Sequence, residues 1–203
     1  MATFLQRAAD DRLGAAYHRV AATGLRRGEL CGLRWSDVNL DGGVLVIRQQ
    51  HLEVGRDIVV GAPKTKVGAR TVALDAGTVA VLKGHKAAQA AERLAWGVGY
   101  SDGGLVFARQ DGAPLRPEYV TRHFLVLSSE AKLPRIVLHG LRHTWATHDL
   151  AAGVDMLVVS RHLGHSSLAL TADTYTRVLP EVSRQAAELA AAMVRQAGVP
   201  QHG

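Results

Sequence analysis

Apolar residues recur at helical spacing from residue 13 onward: Leu13, Ala16, Tyr17, Val20 and Ala21 share one stripe. Asp10 or Asp11 is placed to cap that helix, and Thr23-Gly24 to end it. A second helix is expected to start at 27–29 and run to about Trp35. Beyond the turn-rich stretch 36–43 the pattern changes to short β-branched runs. Val44-Leu45-Val46-Ile47, Ile58-Val59-Val60 and Thr71-Val72-Ala73-Leu74 read as strands, with Gly55-Arg56-Asp57 turning before the second. Asp75 then caps a long Ala-rich helix to about Trp96, with Val79, Leu82, Ala87, Ala90, Ala91 and Leu94 as its apolar positions. Leu105-Val106-Phe107 is a short extended piece and Asp111-Gly112 a turn. Arg116-Pro117-Glu118 opens another helix, with Pro in its first turn and Tyr119, Phe124 and Leu127 as core residues. Pro134 interrupts the chain before an amphipathic run containing Trp145, Leu150 and Ala151, which Gly153 stops. Asp155 can cap the next helix, through Val158, Val159 and Leu163 to Gly164. Ser166 or Ser167 can start a short helix that reaches Tyr175. A tail helix over about 181–196 carries Val182, Ala186, Leu189 and Met193 on one stripe. These elements predict an α+β fold, mainly α-helical with a small three-stranded antiparallel sheet at one edge.

Composition narrows this picture modestly. A chain of 203 residues supports one domain with a sizeable core, and no internal repeat is visible. The formal charge of +6 fits a nucleic-acid partner, a trait shared with many basic soluble proteins. The single Cys31 excludes an internal disulfide or a Cys-rich zinc site, and in Glu-Leu-Cys-Gly-Leu it reads as a small buried residue. No apolar run is long enough to span a membrane, and Gln6, Arg7, Asp10 and Asp11 stand where a signal peptide would be apolar. A cytoplasmic protein is expected.

The chemistry concentrates between Leu138 and Tyr175. His139 and Arg142 are three apart and share a helix face. His165 falls on the turn after Gly164, and Tyr175 lies ten residues on. A guanidinium, two imidazoles and a phenol can thus surround one phosphate. The order His139-x-x-Arg142, Leu163-Gly164-His165 and Tyr175 resembles the catalytic domain of the tyrosine recombinase, or phage integrase, family. Leu141-Arg142-His143-Thr144 and Ala146-Thr147 strengthen the match.

That resemblance assigns roles in the first half of the chain as well. Thr23-Gly24-Leu25-Arg26-Arg27-Gly28-Glu29-Leu30 resembles the family's other arginine box. It makes Arg26 the first catalytic arginine and Glu29 the acidic residue that helps hold the site. Pro63-Lys64-Thr65-Lys66 resembles the family's lysine hairpin, so Lys64 would donate the proton to the leaving group. Lys66 and Arg70 are either DNA-binding, positioning phosphates, or solvated charges. Tyr175 would be the nucleophile, Arg26 and Arg142 would match the charge on the non-bridging oxygens, His139 would serve as base and His165 as hydrogen-bond donor. The implied product is a 3′-phosphotyrosyl DNA link, formed without metal, ATP or other cofactor. The implied partner is double-stranded DNA bearing attachment sites, with a homotetramer on two such sites and a monomer compatible with the free state.

Two competing readings carry less of the pattern. His139 and His143 are four apart, a zinc-binding spacing on a helix, but the intervening Glu of a metalloprotease is missing and Arg142 places a positive charge beside any metal. His143, His148 and His162 are therefore read as ordinary helix residues. The relatives also carry a helical DNA-binding domain before the catalytic one, whereas 25 residues precede Arg26 here. The expectation is a single catalytic domain over 1–203 without that N-terminal core-binding domain: a truncated chain, a gene remnant or a minimal enzyme. The alternative function is a non-catalytic DNA-binding remnant of an integrase.

Overall fold

The computed structural model describes residues 1–63, 69–165, 167–175 and Arg184. The chain opens with α1 (Ala2–Ala8), α2 (Gly14–Thr23) and α3 (Arg27–Gly32), then a 3₁₀ turn at Trp35–Asp37. Five strands follow: β1 (Val38–Asn39), β2 (Val44–Ile47), β3 (Gln50–Val54), β4 (Asp57–Gly61) and β5 (Arg70–Ala73). The remainder is helical, with α4 (Ala76–Trp96), α5 (Pro117–Glu130), α6 (Leu138–Ala151), α7 (Met156–Leu163) and α8 (Leu168–Tyr175). The expected tail helix at 181–196 lies outside the described residues apart from Arg184.

The fold class is as the pattern predicts, but the sheet has different members. Its three antiparallel strands are ordered β1-β2-β5, with Leu45 opposite Val72 and Ile47 opposite Arg70. The run 58–60 belongs instead to a separate hairpin, β3–β4, turned at Gly55 and Arg56. The hairpin packs on α3 and α5. A Cβ on Gly28 would stand 2.7 Å from the His51 carbonyl oxygen, and one on Gly32 3.0 Å from Gln50 Cα. Those two glycines, one turn apart, let β3 approach α3 too closely for any side chain between them.

The main core gathers α1, α2, α5, the sheet and the start of α6. Phe4, Tyr17 and Phe124 interlock there, with ring centroids of Phe4 and Phe124 4.5 Å apart. Every apolar position expected for α2 is buried, as is Cys31, whose thiol burial pushes up to about 12. The second helix stops at Gly32, earlier than expected, because Leu33 turns extended and hands its carbonyl to Val106.

Two expected faces differ. Tyr119 is 51% exposed and stacks on the His123 ring, because α5 turns Val120, Phe124 and Leu127 inward and residue 119 sits about 100° away. On α4 the inward stripe is Thr78, Leu82, His85 and Gln89, while Leu94 is exposed. Polar residues win there because 105–106 offers carbonyls to be satisfied: Gln89 donates to Leu105 at 3.0 Å, and a His85 ring nitrogen lies 2.7 Å from the Val106 oxygen. A second, smaller cluster of Ala146, Leu150, Val159, Leu163 and Tyr175 holds α6, α7 and α8 together.

Candidate active site

The site is built on the C-terminal end of α7. Asp155 caps the start of this helix by accepting from the Leu157 N–H at 2.7 Å, as expected. Its end closes at Gly164 in the left-handed conformation, with the Gly164 and His165 amides donating to the Arg161 and Ser160 carbonyls. The next three carbonyls are met by three arginines. Arg70 Nε donates to His162 at 2.6 Å, Arg142 Nη2 to Leu163 at 2.6 Å, and Arg26 Nη2 to Gly164 at 3.0 Å. The negative end of a helix dipole is where such cations are stabilised.

Each arginine arrives from a different element. α2 ends at Gly24 with φ +61°, and a Cβ there would meet the Trp145 ring at 2.8 Å. This turn throws Arg26 out as the residue before α3. Glu29, 2% exposed, lies on the first turn of α3 and accepts four hydrogen bonds. Two come from the backbone N–H and Nη1 of Arg26, both at 3.0 Å; two come from the fork of Arg70, at 3.0 and 2.9 Å. That fills the lone-pair sites of a carboxylate. Burial alone would raise the Glu29 pKa, but the Arg70 hydrogen bond and charge, then Arg26, outweigh it and hold the carboxyl low.

Arg70 therefore departs from its expected place. The basic stretch suggested an exposed loop cation, but it opens β5 opposite Ile47 and turns its fork inward on Glu29. Lys64 and Lys66 lie outside the described residues.

Arg142, 2% exposed, donates Nη1 to the Gly24 carbonyl through a short hydrogen bond and thereby ties the end of α2 to that of α7. Burial, then Arg26, pushes its pKa down to about 9, so it remains a cation at neutral pH. Arg26 keeps about a third of its side chain exposed.

The imidazoles are neutral bases in this setting. His165 is pushed down to about 4 by burial and then by Arg142 and Arg26, and its Nδ1 lies 2.8 Å from the buried Thr171 hydroxyl. His139 stands on the exposed side of the cluster. Partial burial, then His143, Arg142 and Arg26, lower its pKa.

Tyr175 ends α8 and is 4% exposed in the smaller cluster. Its pKa is raised by burial, with Arg142 acting in the opposite direction. Its hydroxyl lies 3.2 Å from Nδ1 of His143. The structure thus gathers Arg26, Glu29, Arg70, His139, Arg142, His165 and Tyr175. It also brings in His143 and Thr171, which the sequence reading left without a role. The signal for His143 was its place one helical turn after His139; Thr171 had none.

A helical domain with a small antiparallel sheet of this arrangement has the fold of tyrosine recombinase catalytic domains. The Tn1549 transposon integrase superposes with a TM-score of 0.73 at 24% identity, over 85% of this chain and 58% of that one. The XerA recombinase gives 0.68 at 26% identity, over 90% and 61%. The chain belongs to the phage integrase family, whose model matches residues 2–181. It is 31% identical over 189 residues to a "Tyrosine recombinase XerC-like" protein of Caldanaerobacter subterraneus subsp. tengcongensis, covering 87% of this chain and 48% of that protein. It is 35% identical over 170 residues to an "Integrase" of Streptomyces ambofaciens, covering 79% and 43%. The chain spans about half the length of the curated relatives it matches.

Proposed function

We propose that this domain cleaves and rejoins DNA strands as the catalytic domain of a tyrosine-type site-specific recombinase. The observation that carries the reading is the convergence of Arg26 and Arg142 on the adjacent carbonyls of Gly164 and Leu163 at the end of α7, where both charges act on His165 and that of Arg142 on Tyr175. Two guanidinium forks suit the charge that builds on the non-bridging oxygens when a phenol attacks a phosphodiester. Tyr175 forms the 3′-phosphotyrosyl bond and the 5′-oxygen leaves, so one ester replaces another near energetic balance. His165 donates a hydrogen bond to the phosphate, and Lys64 protonates the leaving oxygen. Family membership supports this reading, as do relatives named as recombinases and integrases. Double-stranded DNA is the partner, and strand exchange between two sites calls for a homotetramer.

The test is a nicked duplex carrying candidate attachment sites. Wild-type protein should yield a covalent protein–DNA band, in EDTA as in buffer, and Tyr175→Phe should bind DNA without yielding it. An adduct of undiminished yield in the Phe variant removes Tyr175 from the reaction. A duplex with a 5′-bridging sulfur probes Lys64: a thiolate leaves unaided, so Lys64→Ala should regain much of its rate there, whereas Arg26→Ala and Arg142→Ala should not.

A further inference from the structure

The sequence places a histidine at each end of the turn His139 to His143, and the proton of the attacking phenol has to go to a base. His139 is the one the motif suggests, yet the imidazole that touches the phenol is another. His143 Nδ1 lies 3.2 Å from the Tyr175 hydroxyl, and the two rings are 5.8 Å apart, tilted by 57°. The His139 ring meets that of His143 edge-on, with centroids 4.5 Å apart. Resting on the assignment of Tyr175 as nucleophile, we infer that His143 is a catalytic residue: its Nδ1 takes the phenolic proton as Tyr175 attacks.

In this step neutral His143 carries its hydrogen on Nε2 and accepts the Tyr175 O–H at Nδ1. The O–H bond breaks as the Oη–phosphorus bond forms, leaving an imidazolium. The phosphorus–O5′ bond breaks in the same displacement, and the leaving oxygen takes a separate proton. The titratable groups facing His143 are His139 and the Arg142 cation from its own helix, Tyr175 from α8, and His165 after α7. Burial, then Arg142, lowers the basicity of His143, and burial raises the phenol's pKa. Transfer is therefore uphill at rest. It becomes favourable as the phenol oxygen loses electron density to phosphorus, while the incoming phosphodiester adds the negative charge an imidazolium needs.

His139 keeps a different task on this view. It is exposed, and its edge contact bears on the plane of the His143 ring.

The experiment measures single-turnover cleavage of the 5′-bridging phosphorothiolate duplex, on which leaving-group protonation is not limiting. His143→Ala should bind DNA as the wild type does and lose at least about 100-fold in rate at pH 7, the usual reach of a general base. The deficit should narrow as the pH approaches the phenol's own pKa. His143→Asn retains a polar group near the Nδ1 position but cannot take up a proton, so it should remain slow. A rate that is unchanged or raised in His143→Ala overturns the inference and makes the contact a resting latch. Restoration by His143→Asn also overturns it and makes His143 a positioning residue. A tyrosine adduct that persists in Tyr175→Phe is a different failure, that of the nucleophile assignment. A readout that needs no DNA stands beside these: ¹⁵N spectra of histidine-labelled protein. The His143 Nδ1 should be unprotonated and should shift in Tyr175→Phe, whereas a protonated Nδ1 overturns the inference by itself.

Discussion

Glu29 shows how one short carboxylate can set two long cations. With four donors on it, neither Arg26 nor Arg70 is free to swing away from α7. Glu29→Gln would leave two guanidinium groups facing a neutral amide inside the protein, which costs on the order of 3 kcal/mol in comparable buried pairs. The pH dependence follows from the lowered pKa of Glu29. Its contribution is complete above the ordinary glutamate value near 4.3, and is lost as the pH falls through the lower folded value. Thermal unfolding should therefore separate wild type from Glu29→Gln at pH 7, and the gap should narrow only as the pH falls below about 4.3 and through the lower folded value. A gap that stays constant however far the pH is lowered below that point would mean the carboxylate is not what stabilises the pair.

Among the elements, α2 has the most demanding surroundings. It is buried on nearly every side, so its sequence carries an apolar stripe and yet also buries Arg19 completely. No nitrogen of that guanidinium has a hydrogen-bond partner among the described residues. Burial pushes its pKa down to about 9, Asp75 offsetting part of this and Arg70 adding to it. Arg19 is thus a buried cation at neutral pH with only distant compensation. Replacing such a charge with an apolar side chain of similar length is commonly neutral or stabilising by about 1–4 kcal/mol. Arg19→Met should raise the denaturation midpoint in urea, and a marked fall would show that the charge has a partner. At the end of the same helix, Gly24→Ala combines two faults. The left-handed backbone costs an L-residue about 1–2 kcal/mol, and the new methyl meets Trp145 and Leu163. Because the Gly24 carbonyl anchors Arg142, this variant should lose cleavage rate as well as stability, measured on the nicked duplex and by melting.

For the molecule as a whole, six histidines act in one direction. His51, His85, His139, His143, His162 and His165 all have lowered pKa values, with burial the largest cause in each. Each is neutral in the fold but takes up a proton near pH 6.5 when unfolded. Between that pH and their folded values the unfolded chain holds more protons, so stability falls as the pH drops. Melting temperature should decline from pH 7.5 to pH 5, at about 2–4 °C per kcal/mol for a domain of this size. A flat profile over that range would contradict the neutral state of these rings in the fold.

The sequence alone determined the features governed by local chemistry. Asp75 and Asp155 cap their helices and Gly164 ends α7 because such caps depend on backbone groups two to five residues away. The spacing of His139 and Arg142, and the order of Arg26, His165 and Tyr175, are likewise written in the chain and suffice for the family resemblance. Only the tertiary structure decided the rest. Residues 58–60 joined β3 instead of β2 because two glycines on α3 let that hairpin close in, and a period-2 pattern names no partner. Arg70 left the basic loop for Glu29, 41 positions away, and His143 met Tyr175, 32 positions away. Hydrophobic periodicity records which face of an element turns inward. It does not record which charges meet there, since a buried ion pair needs both partners placed by separate elements before either can be desolvated.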